Sequence, residues 1–115
     1  MAMTLNEFQQ IADRTGGNLS PWDKVRNGCY GLNTEAGECL DILKKYEFMG
    51  HPFDRDHLID ELSDSLWYTA HAATGLGVTL EEIALHNKAK LEERYPDGFD
   101  PERSIHRKEY ENGVH

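Results

Sequence analysis

Residues 35–64 read Glu35-Ala36-Gly37-Glu38-Cys39-Leu40-Asp41-Ile42-Leu43-Lys44-Lys45-Tyr46-Glu47-Phe48-Met49-Gly50-His51-Pro52-Phe53-Asp54-Arg55-Asp56-His57-Leu58-Ile59-Asp60-Glu61-Leu62-Ser63-Asp64. An acidic pair stands at each end, Glu35-x-x-Glu38 and Glu61-x-x-Asp64. Side chains three apart share a helix face, so each pair aims two carboxylates in one direction. Gly50, His51 and Pro52 interrupt the apolar pattern, and Asp54 is placed to start a second helix. The stretch therefore reads as two helices with a short connection, which makes them antiparallel neighbours. By helical rise, the first pair lies roughly 17 Å before the turn and the second roughly 13 Å after it, a mismatch that side chains bridge.

Working outward, Tyr30, Leu32, Ala36, Cys39, Leu40, Leu43 and Tyr46 recur at helical intervals up to Phe48. Leu58, Leu62, Leu66, Trp67 and Ala70 form the matching stripe on the second helix, and the two stripes are the predicted core faces. Upstream, Thr4-Leu5-Asn6-Glu7 is a capping box for a short helix with Leu5, Phe8, Ile11 and Ala12 inward, ended by Gly16-Gly17. Pro21 fits the first turn of the long helix that follows. Downstream of Gly75 and Gly77, Thr79-Leu80-Glu81-Glu82 opens a last helix through Ile83, Leu85 and Leu91, closed by Pro96 and Gly98. From Asp97 the chain is polar and of mixed charge, and is expected to be extended or weakly ordered and able to cross to a partner subunit. No strand-like alternation appears. The expected fold is all-α: one domain over 1–115, an antiparallel bundle of about four helices with a polar tail over 97–115.

Lys and Arg number 12 against 21 Asp and Glu, a net charge of −9. That balance argues against nucleic acid or a membrane surface as partner. An acidic protein still binds phosphate where a cation inverts the local potential. Cys29 and Cys39 fall on one helix about 15 Å apart along its axis, too far for a mutual disulfide. No charged-then-apolar leader opens the chain and no apolar run reaches the roughly 20 residues that span a membrane, so the expected location is the cytoplasm. Tyr30, Trp67, Tyr68, Leu76 and Val78 add more apolar surface than a thin bundle encloses, and a homodimer or homotetramer is expected.

Four carboxylates gathered in a helical groove repel one another and lose solvation, so they take up protons or hold a cation. Oxygen-only donors from Glu35, Glu38, Glu61 and Asp64 favour magnesium or manganese over zinc. Either pair alone is also an ordinary solvated helix face, and a non-catalytic interaction module is the bland alternative. A di-iron carboxylate bundle is another, but it calls for Glu-x-x-His motifs where this chain has Glu38 and Asp64 as second members. His51 and His57 are read as surface residues near the turn, away from the acidic level, and His106 and His115 as tail residues. His71, seven residues beyond Asp64, returns to that face about 10 Å away.

The chain resembles the MazG-like nucleotide pyrophosphohydrolases, an all-α family with an ExxE, spacer, ExxD metal motif. The resemblance rests on Pro21-Trp22-Asp23-Lys24, Glu35-Ala36-Gly37-Glu38, Asp60-Glu61-Leu62-Ser63-Asp64 and Asn87-Lys88-Ala89-Lys90-Leu91-Glu92-Glu93-Arg94-Tyr95-Pro96. One departure is Thr34, where many relatives carry a further acid. The resemblance implies hydrolysis of a nucleoside triphosphate between its α and β phosphates, giving the monophosphate and pyrophosphate with magnesium as cofactor. Glu35, Glu38, Glu61 and Asp64 would then hold one or more ions, with Glu38 favoured over Glu35 as the base that takes a proton from water. The resemblance also places phosphate binding near Lys90 and Arg94, which share a helix face with Asn87. Trp22 and Tyr95 are candidates for stacking on the base, and each is equally readable as a packing anchor.

Overall fold

The structure, a computed structural model, describes residues 2–107 and is all-α among them: α1 (Leu5–Arg14), α2 (Pro21–Phe48), α3 (Arg55–Leu76), α4 (Leu80–Arg94) and α5 (Pro101–Ile105). No helix among the described residues is long and apolar enough to cross a membrane. The chain divides between Glu81 and Glu82 into two compact units. Local chemistry sets the helix ends. Thr4 and Glu7 form the full capping box of α1. Ser20 caps α2 with Pro21 in its first turn, and Asp54 caps α3 through the His57 amide at 3.1 Å. Gly77 ends α3 at φ 75°, a left-handed conformation that favours glycine.

In the first unit, α2 and α3 run antiparallel along a seam of small residues. A β-carbon built on Gly28 would stand 2.7 Å from the β-carbon of Ala72 and 2.8 Å from the Tyr68 carbonyl oxygen. On Gly31 it would run into the Tyr68 ring, and on Gly75 it would stand 2.5 Å from the Pro21 carbonyl oxygen. Glycine is therefore required where the two backbones, or a backbone and a ring, nearly touch. Descending α3 from Gly75 through Ala72 and Tyr68 while ascending α2 from Pro21 through Gly28 and Gly31 brings Glu35 level with Glu61 and Asp64.

This seam overrules part of the apolar stripes predicted for the hairpin, although Cys39, Leu58, Trp67 and Ala70 turn inward as expected. Tyr30, Leu32, Leu40, Leu43 and Tyr46 of α2, and Leu62 and Leu66 of α3, are exposed, whereas Gly28 and Ile42 are buried and Glu35 and Cys39 half-buried. Close approach through glycine selects the face, and the large side chains cannot occupy so narrow a gap. In α1, Ala12 is buried and Phe8 half-buried as expected, but Leu5 and Ile11 are exposed. The core there is Ala12, Ala70 and Leu80, with Phe8 and Trp67 packed against it.

Gln9, which the apolar pattern passed over, is buried in that core and fully used. Its amide nitrogen donates to Thr74 Oγ1 at 3.1 Å and to the Val78 carbonyl at 3.0 Å, and its oxygen accepts from the Leu80 amide at 2.7 Å. Asn6 accepts from the Glu81 amide at 3.1 Å. Side chains of α1 thus satisfy two of the first donors of α4, fixing α1 against the end of α3.

In the second unit, Ile83, Leu85 and Leu91 of α4 are exposed rather than buried. Beyond Tyr95, which stacks at a tilt on Phe99, residues 101–105 are helical instead of extended. Asp100 caps this α5 and Pro101 occupies its first turn. Arg103 donates from Nε to the Arg94 carbonyl at 2.7 Å, so a guanidinium closes the end of α4 and anchors the segment that composition read as a loose tail. Residues 108–115 of the expected polar tail, His115 among them, lie outside the described residues.

Candidate metal centre

Glu35 comes from the middle of α2, and Glu61 and Asp64 from successive turns of α3. One carboxylate oxygen from each lies within 4.8 Å of the others. The seam below them sets this spacing, since the glycines bring the two helices close enough for short acidic side chains to meet. Glu38, one turn further along α2, is exposed and stands outside that trio. Its charge still acts on Glu35.

Glu35 is the strained member. Its Oε2 is buried and has no hydrogen-bond partner. Its pKa is pushed up to about 7, first because it can share a proton with Glu61, then by burial, then by the charges of Glu61, Asp64 and Glu38. A carboxylate so placed is held as the acid, or it is held ionised by a cation. Oxygen-only donors and an orphaned buried oxygen fit a hard divalent ion.

Around the trio, Thr15, Glu35, Asp64, Trp67 and Tyr68 line an open cleft of about 350 Å3. Trp67 and Tyr68 follow Asp64 by three and four residues and so share its helix face, a signal present in the sequence. Thr15 had no such signal, because it arrives from the end of α1. Its hydroxyl accepts from Trp67 Nε1 at 2.8 Å and donates to the Ala12 carbonyl at 2.8 Å, which locks the indole at the cleft wall. The two aromatic rings meet edge to face at 5.0 Å.

Other sequence candidates fall elsewhere. Trp22 is exposed in the first turn of α2, about 20 Å along the helix from Glu35. Thr34 turns its hydroxyl back to the Tyr30 carbonyl at 3.1 Å and adds no ligand to the trio. Asn87, Lys90, Arg94 and Tyr95 belong to the second unit, the first three on α4 and Tyr95 just past its end.

Two histidines depart from expectation. His57 is not away from the acidic level: its Nε2 lies 3.0 Å from Glu61 Oε1, one helical turn on. Its i,i+4 relation to Glu61 is the sequence signal for this contact, although its position beside the interhelical turn suggests a surface residue. His71 is buried, stacked on Trp67 at 4.8 Å and pressed against Gly16, and neither ring nitrogen has a hydrogen-bond partner. Burial lowers its pKa, Lys24 lowers it further, and Asp13 acts in the opposite direction.

The family model described as the MazG nucleotide pyrophosphohydrolase domain aligns with residues 28–99, which include all four acids of the two motifs. No curated protein and no solved structure matches the chain.

Proposed function

The chain belongs to the MazG nucleotide pyrophosphohydrolase family, and from that premise we propose that it is a magnesium-dependent hydrolase of nucleoside triphosphates, cleaving between the α and β phosphates to release the monophosphate and pyrophosphate. The observation that carries this reading is the buried, partnerless Oε2 of Glu35 beside Glu61 and Asp64. Those three carboxylates, with Glu38 one turn on, would hold the divalent ion, and manganese has the same donor preference. Once bound, such an ion neutralises phosphate charge and acidifies water.

The chain's own groups do the rest. Glu38, exposed and outside the trio, is assigned the proton of the attacking water, with Glu35 as the alternative acceptor. Trp67 and Tyr68 form a rigid wall that limits where a substrate in the cleft can lie. Asn87, Lys90, Arg94 and Tyr95 are assigned to substrate binding on the strength of the family resemblance and, for the first three, of their shared helix face. Trp22 is retained as a candidate for stacking on the base. Exposed Tyr30, Leu40, Leu62 and Leu66 support a homodimer or homotetramer, which light scattering at micromolar concentration would reveal. The expected setting is the cytoplasm, with free nucleotides as substrates.

The test is incubation of the purified chain with a panel of canonical and modified nucleotides and magnesium, with chromatographic identification of products. Monophosphate and pyrophosphate are expected in equal amounts. Stepwise release of orthophosphate, or survival of every triphosphate at high enzyme concentration with helicity intact, would overturn the assignment.

A further inference from the structure

We infer that His57 is a positioning residue for the metal centre, holding the Glu61 carboxylate in the orientation that faces Glu35 and Asp64. This rests on the reading of Glu61 as a metal ligand. The imidazole lies between two acids of its own helix. Its Nε2 is 3.0 Å from Glu61 Oε1, and its Nδ1 is 3.8 Å from Oδ2 of Asp54. An ionised carboxylate can only accept, so Nε2 carries the proton of the shorter contact. Asp54 fixes the other side of the arrangement, because its Oδ1 accepts the His57 amide at 3.1 Å as the cap of α3. Cap, ring and ligand thus form one line along the first two turns.

Glu61 needs such a restraint more than an ordinary helical glutamate does. Its side chain is only 12% exposed and points toward two other carboxylates. Repulsion favours its swinging out to solvent, and two free torsions beyond Cβ make that motion easy. A hydrogen bond from a ring anchored one turn earlier opposes it. His57 is itself half exposed and contributes no atom to the trio's cluster, so its effect passes through Glu61. Partners of this kind, which orient a ligand without touching the ion, typically change metal affinity by about 10–100-fold.

The test is calorimetric titration of the nucleotide-free chain with manganese, supported by electron paramagnetic resonance of the unbound ion. Glu61→Ala is expected to abolish saturable binding. His57→Ala is expected to weaken it about tenfold while the metal-free melting temperature stays close to that of the parent. His57→Gln, whose side-chain amide can donate to Glu61, is expected to recover most of the affinity. Binding by His57→Ala within twofold of the parent, with Glu61→Ala inactive in binding, would overturn this inference and leave the metal centre standing. A loss that His57→Gln does not recover, together with a lower metal-free melting temperature, would make His57 a part of the helix fold and also overturn it. Unaltered binding by Glu61→Ala, or none by the parent, would overturn both readings.

Discussion

Glu35 and His71 each bury a polar atom that no protein group satisfies, and their surroundings treat that deficit in opposite ways. Around Glu35 stand Glu61, Asp64 and Glu38, so the site accumulates like charge and holds a proton up to about pH 7. Around His71 stand the Trp67 ring and the Gly16 backbone, and burial together with the Lys24 charge disfavours protonation of the ring. The first environment rewards an incoming cation and the second excludes one. Both lie on the same hairpin, joined through Trp67, which stacks on His71 and also lines the cleft above Asp64. A buried unsatisfied atom alone is therefore no guide to function; the charge of its neighbours decides.

The largest effect expected from this contrast is on turnover. Glu35→Gln keeps the shape of the side chain but removes the charge that would hold an ion, and should lower pyrophosphate release by about 100-fold or more with far-ultraviolet dichroism unaltered. Activity within threefold of the parent would place the chemistry elsewhere.

Next in size is the seam that brings the acids together. Gly28→Ala forces a methyl against the Ala72 and Tyr68 backbone and should destabilise the chain by about 1–3 kcal/mol in urea unfolding. An unchanged midpoint would show that α2 and α3 do not approach so closely.

Smaller, and opposite in sign for the two regions, is the effect of pH on the metal-free chain. Glu35 has a folded pKa raised from 4.5 to about 7, so its stabilising contribution is complete below 4.5 and is lost as pH rises toward and through 7. The folded pKa of His71 is lowered from 6.5, so its contribution is complete above 6.5 and is lost as pH falls through the lowered value. Each slope amounts to no more than about one proton. Melting curves from pH 4.5 to 8 should lose the first trend in Glu35→Gln and the second in His71→Phe. Manganese should flatten the Glu35 trend near pH 7, and its affinity should fall on acidification because ion and proton compete for one carboxylate. Least of all, Thr34→Ala should stay within about 0.5 kcal/mol of the parent, since its hydroxyl only returns to its own helix.

Much of this was legible in the sequence because it is local. The Thr4 capping box, Pro21 in a first turn, Asp54 as a cap and the break at Gly77 depend on residues within a few positions of one another. The acidic spacing was equally plain. The contact of His57 with Glu61 is also local, at i,i+4, but the nearby turn at residues 50–52 masks it in the sequence. The inward faces were legible only in part, since Ala12, Trp67 and Ala70 turn inward as their stripes predict. Leu40, Leu62 and Leu66 carry the apolar signal yet face outward, while Gly28, Gly31 and Gly75, which look like helix weaknesses, govern how the hairpin packs.

The sequence by itself determined where α1 to α4 begin and end and that each acidic pair shares a helix face, because capping and helical periodicity are properties of neighbouring residues. Only the tertiary structure decided which faces meet, that Glu35 and not Glu38 turns a buried oxygen toward the other acids, that Thr15 reaches the cleft and that Gln9 closes the core. Those outcomes follow from how closely two backbones can approach, a steric condition between residues far apart in the chain that no local pattern records.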